Sequence, residues 1–171
     1  MQKLEPNEYA HFYQPYIQVL LDNDKGIIEN LKDSLLEFEL LLSDISVEKQ
    51  LYQYAENKWT IKELIKHIID AERVFNYRAL RFARNDNIEL SGFDENHYVT
   101  YSNANQRIYQ QLFNEFITLR KSTIFLYQSF TSEMLLFQVK ASGNYMSVRA
   151  LGFITSGHLL HHLQVIKNRY L

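Results

Sequence analysis

The chain contains no cysteine. That absence removes a disulfide framework, thiolate metal ligands and a cysteine nucleophile. Proline and glycine are scarce, 2 and 5 of 171 residues, so few positions force the backbone out of a helix. No run approaches the roughly 20 uncharged apolar residues a membrane-spanning helix needs, and no membrane partner is expected. The opening segment, Met1-Gln-Lys-Leu-Glu-Pro6, lacks a basic head followed by an apolar core, so no secretory leader is expected either. These absences together fit a cytoplasmic chain.

Positive charge is not in excess. There are 18 Lys and Arg against 20 Asp and Glu, a formal net charge of −2. Nucleic-acid binders usually carry a basic face, because neutralising phosphates supplies much of their affinity. No nucleic-acid partner is therefore expected. One local exception, Arg78-Ala-Leu-Arg81-Phe-Ala-Arg84, places arginines at helical spacing. It reads as the solvated or salt-bridged last turns of a helix, where cations suit the dipole.

What is present is a hydrophobic content of 46%, enough for one full core in a single domain covering residues 1–171. The opening to about Leu21 carries both prolines and reads as a short helix or wrapped segment. From Asp24 to about Leu42, Ile28, Leu31, Leu35, Phe38 and Leu42 recur at helical spacing. Trp59-Thr60-Ile61-Lys62-Glu63-Leu64 predicts a helix start, with Thr60 at the N-cap, Glu63 closing a capping box, and Trp59 and Leu64 as a hydrophobic staple. That helix should run to about Arg84. Asn85–Asn103 reads as a loop with one helical turn. A third helix is expected from about Asn105 to Ser129, with Ile108 on its apolar stripe. After a break at Ala141-Ser142-Gly143-Asn144, Ser147 can cap a final helix from Val148 to about Tyr170. Phe137–Lys140 is too short to count as a strand. The expected class is all-α, a four-helix bundle.

The chemistry lies in the histidines. His158 and His162 are four residues apart on the last helix, so both imidazoles face one side a turn apart. Leu151, Ile154, Val165 and Ile166 continue that stripe, placing the pair on the core side, whereas His161 is rotated about 60° the other way from His158. A facing helix must supply a third ligand, and His67 lies midway along the Leu64–His67–Ala71–Val74 stripe. Three neutral imidazoles leave a Zn²⁺- or Ni²⁺-type ion with an open position, a catalytic arrangement rather than a structural one. The alternative is that these are ordinary core histidines satisfied by hydrogen bonds. Asp70 could orient a ligand imidazole or simply pair with Arg73 or Arg78. His11 and His97 read as surface or loop residues, and Tyr77 and Tyr98 could line a pocket. No Ser-His-Asp pattern, GxGxxG or phosphate loop occurs.

Several of these segments carry a family resemblance: Pro6-Asn-Glu-Tyr, Lys58-Trp-Thr-Ile-Lys-Glu-Leu-Ile-Lys-His67, Gly92-Phe-Asp, and Ser156-Gly-His158-Leu-Leu-His-His162. The chain resembles the DinB-like (YfiT-like) superfamily of metal-binding four-helix bundles over nearly its whole length. The resemblance implies that His67, His158 and His162 hold a divalent metal, that the bundle runs up-down-down-up, and that the protein is a homodimer. It also implies a small-molecule substrate and transfer of a low-molecular-weight thiol, such as bacillithiol, or hydrolysis by activated water. The competing expectation is a non-catalytic stress-response module that keeps the bundle and the metal.

Overall fold

The start of the second long helix shows how local chemistry sets the frame. The Glu63 amide donates to Thr60 Oγ1 at 3.1 Å, and Glu63 Oε2 accepts from the Thr60 amide at 2.8 Å. Thr60 Oγ1 then donates to Asn105 Oδ1 at 2.7 Å, and Lys62 Nζ donates to the Asn105 carbonyl at 2.8 Å. The cap therefore also ties this helix to the segment that opens the third one.

The computed structural model describes residues 4–20 and 24–171. Two 3₁₀ turns, Pro6–Glu8 and His11–Tyr13, lead into α1 (Gln14–Gln18). There follow α2 (Ile27–Leu42), α3 (Val47–Gln50), α4 (Ile61–Ala83), α5 (Glu95–Thr100), α6 (Tyr109–Gln128) and α7 (Ser132–Leu135). A hairpin of β1 (Gln138–Ala141) and β2 (Asn144–Ser147) then precedes α8 (Val148–Arg169). The expected boundary at Leu21 lies outside the described residues. Among the described residues, no helix is long and apolar enough to cross a membrane.

Helices α2, α4, α6 and α8 form the bundle, with α8 between α2 and α4, and α6 between them on the other side. Three hydrogen bonds establish its direction. Tyr109 Oη at the start of α6 donates to the Leu42 carbonyl at the end of α2, 2.7 Å. Tyr170 Oη just past α8 donates to the Trp59 carbonyl just before α4, 2.6 Å. The Thr60–Asn105 bond places the starts of α4 and α6 together. Thus α2 and α8 end where α4 and α6 begin, the up-down-down-up order.

The core divides into two apolar clusters. One gathers Leu35, Phe38, Ile65, Ile68, Phe116, Leu159 and Ile166; the other gathers Leu31, Phe75, Phe82, Ile124, Leu151 and Ile154. Between them lies a polar layer in which Arg120, fully buried, meets Glu72 through Nε at 2.9 Å and Nη2 at 2.8 Å. The same guanidinium donates to Ser34 Oγ at 2.6 Å and the Leu31 carbonyl at 3.2 Å.

Two sequence expectations need correction. Ile108 is not on the third helix's buried stripe: it sits at the N-cap and is 63% exposed, because Arg107 breaks the chain between a 3₁₀ turn at Ala104–Gln106 and α6. Phe137–Lys140 does contribute a strand. β1 pairs antiparallel with β2 through a two-residue loop, Ser142 (φ 53°) and Gly143 (φ 77°), both left-handed as a type I′ turn requires. A bridge from Leu90 to Ala141 extends the pairing, so the loop after α4 is fastened to the hairpin.

The N-terminal segment is held against α8 at two places. Buried Glu8 accepts from Ser147 Oγ at 2.7 Å and Arg149 Nε at 2.6 Å. Its carboxyl lies below the ordinary value: burial pushes it up, but the Arg149 and Ser147 hydrogen bonds outweigh that. At Gly157 a Cβ would stand 1.8 Å from the Tyr16 carbonyl oxygen, so only glycine lets α1 lie this close.

Candidate metal centre

His67 comes from the second turn of α4, and His158 and His162 from the middle of α8, the helix packed against it. His158 Nε2 lies 3.1 Å from His67 Nε2 and 3.1 Å from His162 Nε2. One ligand atom from each ring falls within 4.8 Å of the others. Two nitrogens about 2.05 Å from a tetrahedral zinc ion stand about 3.3 Å apart, close to the two short edges.

Hydrogen bonding alone serves this cluster poorly. A neutral imidazole nitrogen holds either one proton or one lone pair. His158 Nε2 therefore has a single proton or lone pair to divide between two neighbours at 3.1 Å, and cannot point it squarely at both. Three lone pairs aimed at one cation remove the conflict. The residues fit a divalent ion.

Protonation agrees. Burial pushes His67 down to about 4, with Glu95 and Asp70 pulling weakly the other way. His158 and His162 lie well below the ordinary imidazole value, from burial first and then from the neighbouring histidines. All three are neutral near pH 7, the form that binds metal.

The triad opens on a cavity of about 400 Å³ whose wall includes Tyr13, Tyr16, Trp59, Phe75 and Phe93. Trp59 lies over His67 with ring centres 4.7 Å apart. Tyr16 and Phe75 stand edge-on to His158 at 5.3 and 5.6 Å. A family model described as the DinB superfamily matches residues 31–166. The chain belongs to the DinB superfamily. Among solved structures, YfiT from Bacillus subtilis, a probable metal-dependent hydrolase with an unusual four-helix bundle topology, superposes with a TM-score of 0.75 at 11% identity, covering 97% of this chain and 90% of that one. No curated protein sequence matches the chain.

Within this DinB-superfamily chain, the triad chosen from spacing is the one the fold brings together. His161 is half-buried and turned toward Tyr16, 5.2 Å between ring centres. Asp70 does not orient an imidazole; it pairs with Lys66 at 2.8 Å and Arg73 at 3.4 Å. His11 and His97 are exposed. Tyr77 and Tyr98 are 52% and 43% exposed and line no part of the cavity; Tyr13 and Tyr16 take that role.

The expectation for the arginine run fails at its first member. Arg81 pairs with Asp86 at the surface, but Arg78 is 2% exposed and lines the cavity. Its Nη2 donates to the Ser91 carbonyl and to Ser142 Oγ, both at 3.0 Å. Glu95, exposed on α5, is the carboxylate on the same wall. Arg78 had a signal that spacing offered: it follows His67 by eleven residues, about three helical turns, and so shares its face.

Proposed function

We propose that the chain is a metal-dependent enzyme of its superfamily, with His67, His158 and His162 holding a zinc- or nickel-type divalent ion beside the cavity. The observation that carries this reading is the convergence of three neutral imidazoles on one point, with no fourth His, Cys, Asp or Glu joining the cluster among the described residues. A storage or scaffold module would close the site with a fourth side chain; here the three histidines line a cavity instead.

A divalent ion in this setting supplies Lewis acidity, bringing the pKa of a water or thiol at its open position toward neutrality. The protein supplies the rest. Uncharged histidines leave the ion's charge undiminished, and the aromatic wall of Tyr16, Trp59 and Phe75 keeps bulk water from screening it. In this reading Glu95, the carboxylate on the cavity wall, takes the proton that the nucleophile gives up. Both nucleophiles belong to the proposal: water, supported by YfiT's description as a probable metal-dependent hydrolase, or a low-molecular-weight thiol such as bacillithiol. A homodimer is part of the same reading, checked by light scattering.

The test is metal analysis of protein purified without a histidine tag, then a screen of esters, amides, and thiols with electrophiles. One equivalent of metal is expected in the wild type, with loss in His158→Ala and His162→Ala. A wild type without metal, whose uptake is indifferent to both substitutions, would overturn it.

A further inference from the structure

Two arginines are buried in this bundle. Arg120 is neutralised by Glu72. Arg78 has no carboxylate within ion-pair distance among the described residues, although it is 2% exposed. A guanidinium removed from water without a counter-charge is costly, and structures keep one where an anion arrives from outside. We propose that Arg78 anchors a carboxylate on the small molecule that enters the cavity, at the end away from the histidines.

The setting supports this in three ways. Arg78 and His67 face the same cavity from one helix, with Ala71 and Phe75 between them on the wall. Eleven residues give a rise of about 16 Å, and side chains lean toward the helix N-terminus, so the guanidinium stands on the order of 10 Å from the histidines. Ala71, the small residue of the stripe, leaves room along that line.

Secondly, the guanidinium is held. Two hydrogen bonds use Nη2, to the Ser91 carbonyl and Ser142 Oγ, and the Tyr13 hydroxyl lies within hydrogen-bonding reach as well, which fixes the plane and leaves part of the five-donor fork for a ligand. Ser142 is placed for this by a left-handed conformation (φ 53°) that serine rarely adopts. Thirdly, a second donor is near. Burial raises the Tyr13 hydroxyl above its ordinary value, and the adjacent Arg78 offsets this only in part, so Tyr13 stays protonated on the same wall.

The charge and size of the cavity define the ligand. A single buried guanidinium balances one negative charge, and Glu95 on the same wall disfavours a second. Glu95 itself is exposed and screened by water, so it does not cancel Arg78. About 400 Å³ lies at the low end for small-molecule sites. The ligand class is a compact monocarboxylate with an apolar body, seated against Phe75 and Phe93, whose reacting group lies at the histidines. That last placement rests on the metal reading; the anchor does not.

Trp59 is the sole tryptophan and lines the cavity, so its fluorescence reports occupancy. The experiment titrates 3-phenylpropionate and its neutral amide into full-length protein, both stripped of metal and loaded with zinc, and measures zinc stoichiometry alongside. The acid should bind at least about tenfold more tightly than the amide in both forms. Arg78→Met should abolish that preference, hold amide affinity within about twofold and leave zinc uptake unchanged; Arg78→Lys should fall between. Equal affinity for acid and amide in metal-free wild type overturns the anchor, as does a preference that survives Arg78→Met. A preference seen only with zinc also overturns it, since the carboxylate is then on the metal. Loss of zinc uptake with the acid preference intact sinks the metal reading and leaves the anchor standing. Should Arg78→Met fail to fold, the metal-free wild-type comparison decides alone.

Discussion

Arg120 and Arg78 sit on neighbouring helices at nearly equal burial, and the bundle treats them in opposite ways. Arg120 is tied into all four long helices: Glu72 on α4, Ser34 and Leu31 on α2, and the Thr155 carbonyl on α8 at 3.4 Å. Arg78 is held by a loop carbonyl and a hairpin hydroxyl, and its remaining neighbourhood is a cavity. The first arrangement fixes the register of the helices. The second leaves a charge waiting for a partner. The histidine triad shows a third solution, in which burial removes the charge itself. What separates a structural charge from a functional one here is whether the counter-charge is built into the fold.

The contrast breaks most sharply at Glu72. Glu72→Ala strands Arg120 without compensation and should cost about 3–5 kcal/mol in urea unfolding, whereas the Glu72→Ala/Arg120→Met double variant should recover part of that loss. Arg78→Met, by the same measurement, should cost less than about 1 kcal/mol, because no built-in partner is stranded. A loss at Arg78 as large as that at Glu72 would erase the distinction.

Lowering the pH tests the histidines. His67 titrates near 4 in the metal-free fold and near 6.5 when unfolded, so the unfolded chain takes up its proton first as pH falls. Stability is therefore full above pH 6.5 and is lost between 6.5 and 4, by about 3 kcal/mol from His67 alone. His158 and His162 shift in the same direction and add to it. Saturating zinc should raise stability throughout and carry the loss on to lower pH, because the zinc-bound fold takes up no proton on these rings; a metal-free protein whose denaturation midpoint stays constant from pH 7 to 4 would contradict the burial argument.

Gly157→Ala should lift α1 from α8 and cost about 1–3 kcal/mol, with a red shift of Trp59 fluorescence as the neighbouring cavity wall opens. The smallest effect is expected at Asp70. Its pairs with Lys66 and Arg73 are partly exposed, so Asp70→Asn should change stability by about 0.5 kcal/mol or less and leave zinc stoichiometry intact.

The triad was legible because each part left a local mark. His158 and His162 are one turn apart, and His67 lies one short stretch after a capping box that fixes its helix's phase. The cavity wall left none. Tyr13 and Tyr16 lie more than 140 residues from His158 in sequence, and nothing in their spacing says they will cover it. Spacing put Arg78 on the face of His67, but its burial could not be read there, since it depends on Leu90, Ser91 and the hairpin folding over it. The hairpin itself was hidden because four-residue strands carry too little alternation to register. Gly157 looked like an isolated helix glycine until the Tyr16 backbone was seen against it.

By itself, then, the sequence determined the helices, their caps and the faces that carry His67, His158 and His162, because those depend on neighbours within a turn or two. Only the tertiary structure decided that three lone pairs meet at one point, that aromatic residues from the N-terminal segment enclose them, and that one buried arginine keeps its charge uncompensated. Those outcomes depend on which distant surfaces exclude water from one another, and periodicity along the chain does not record that.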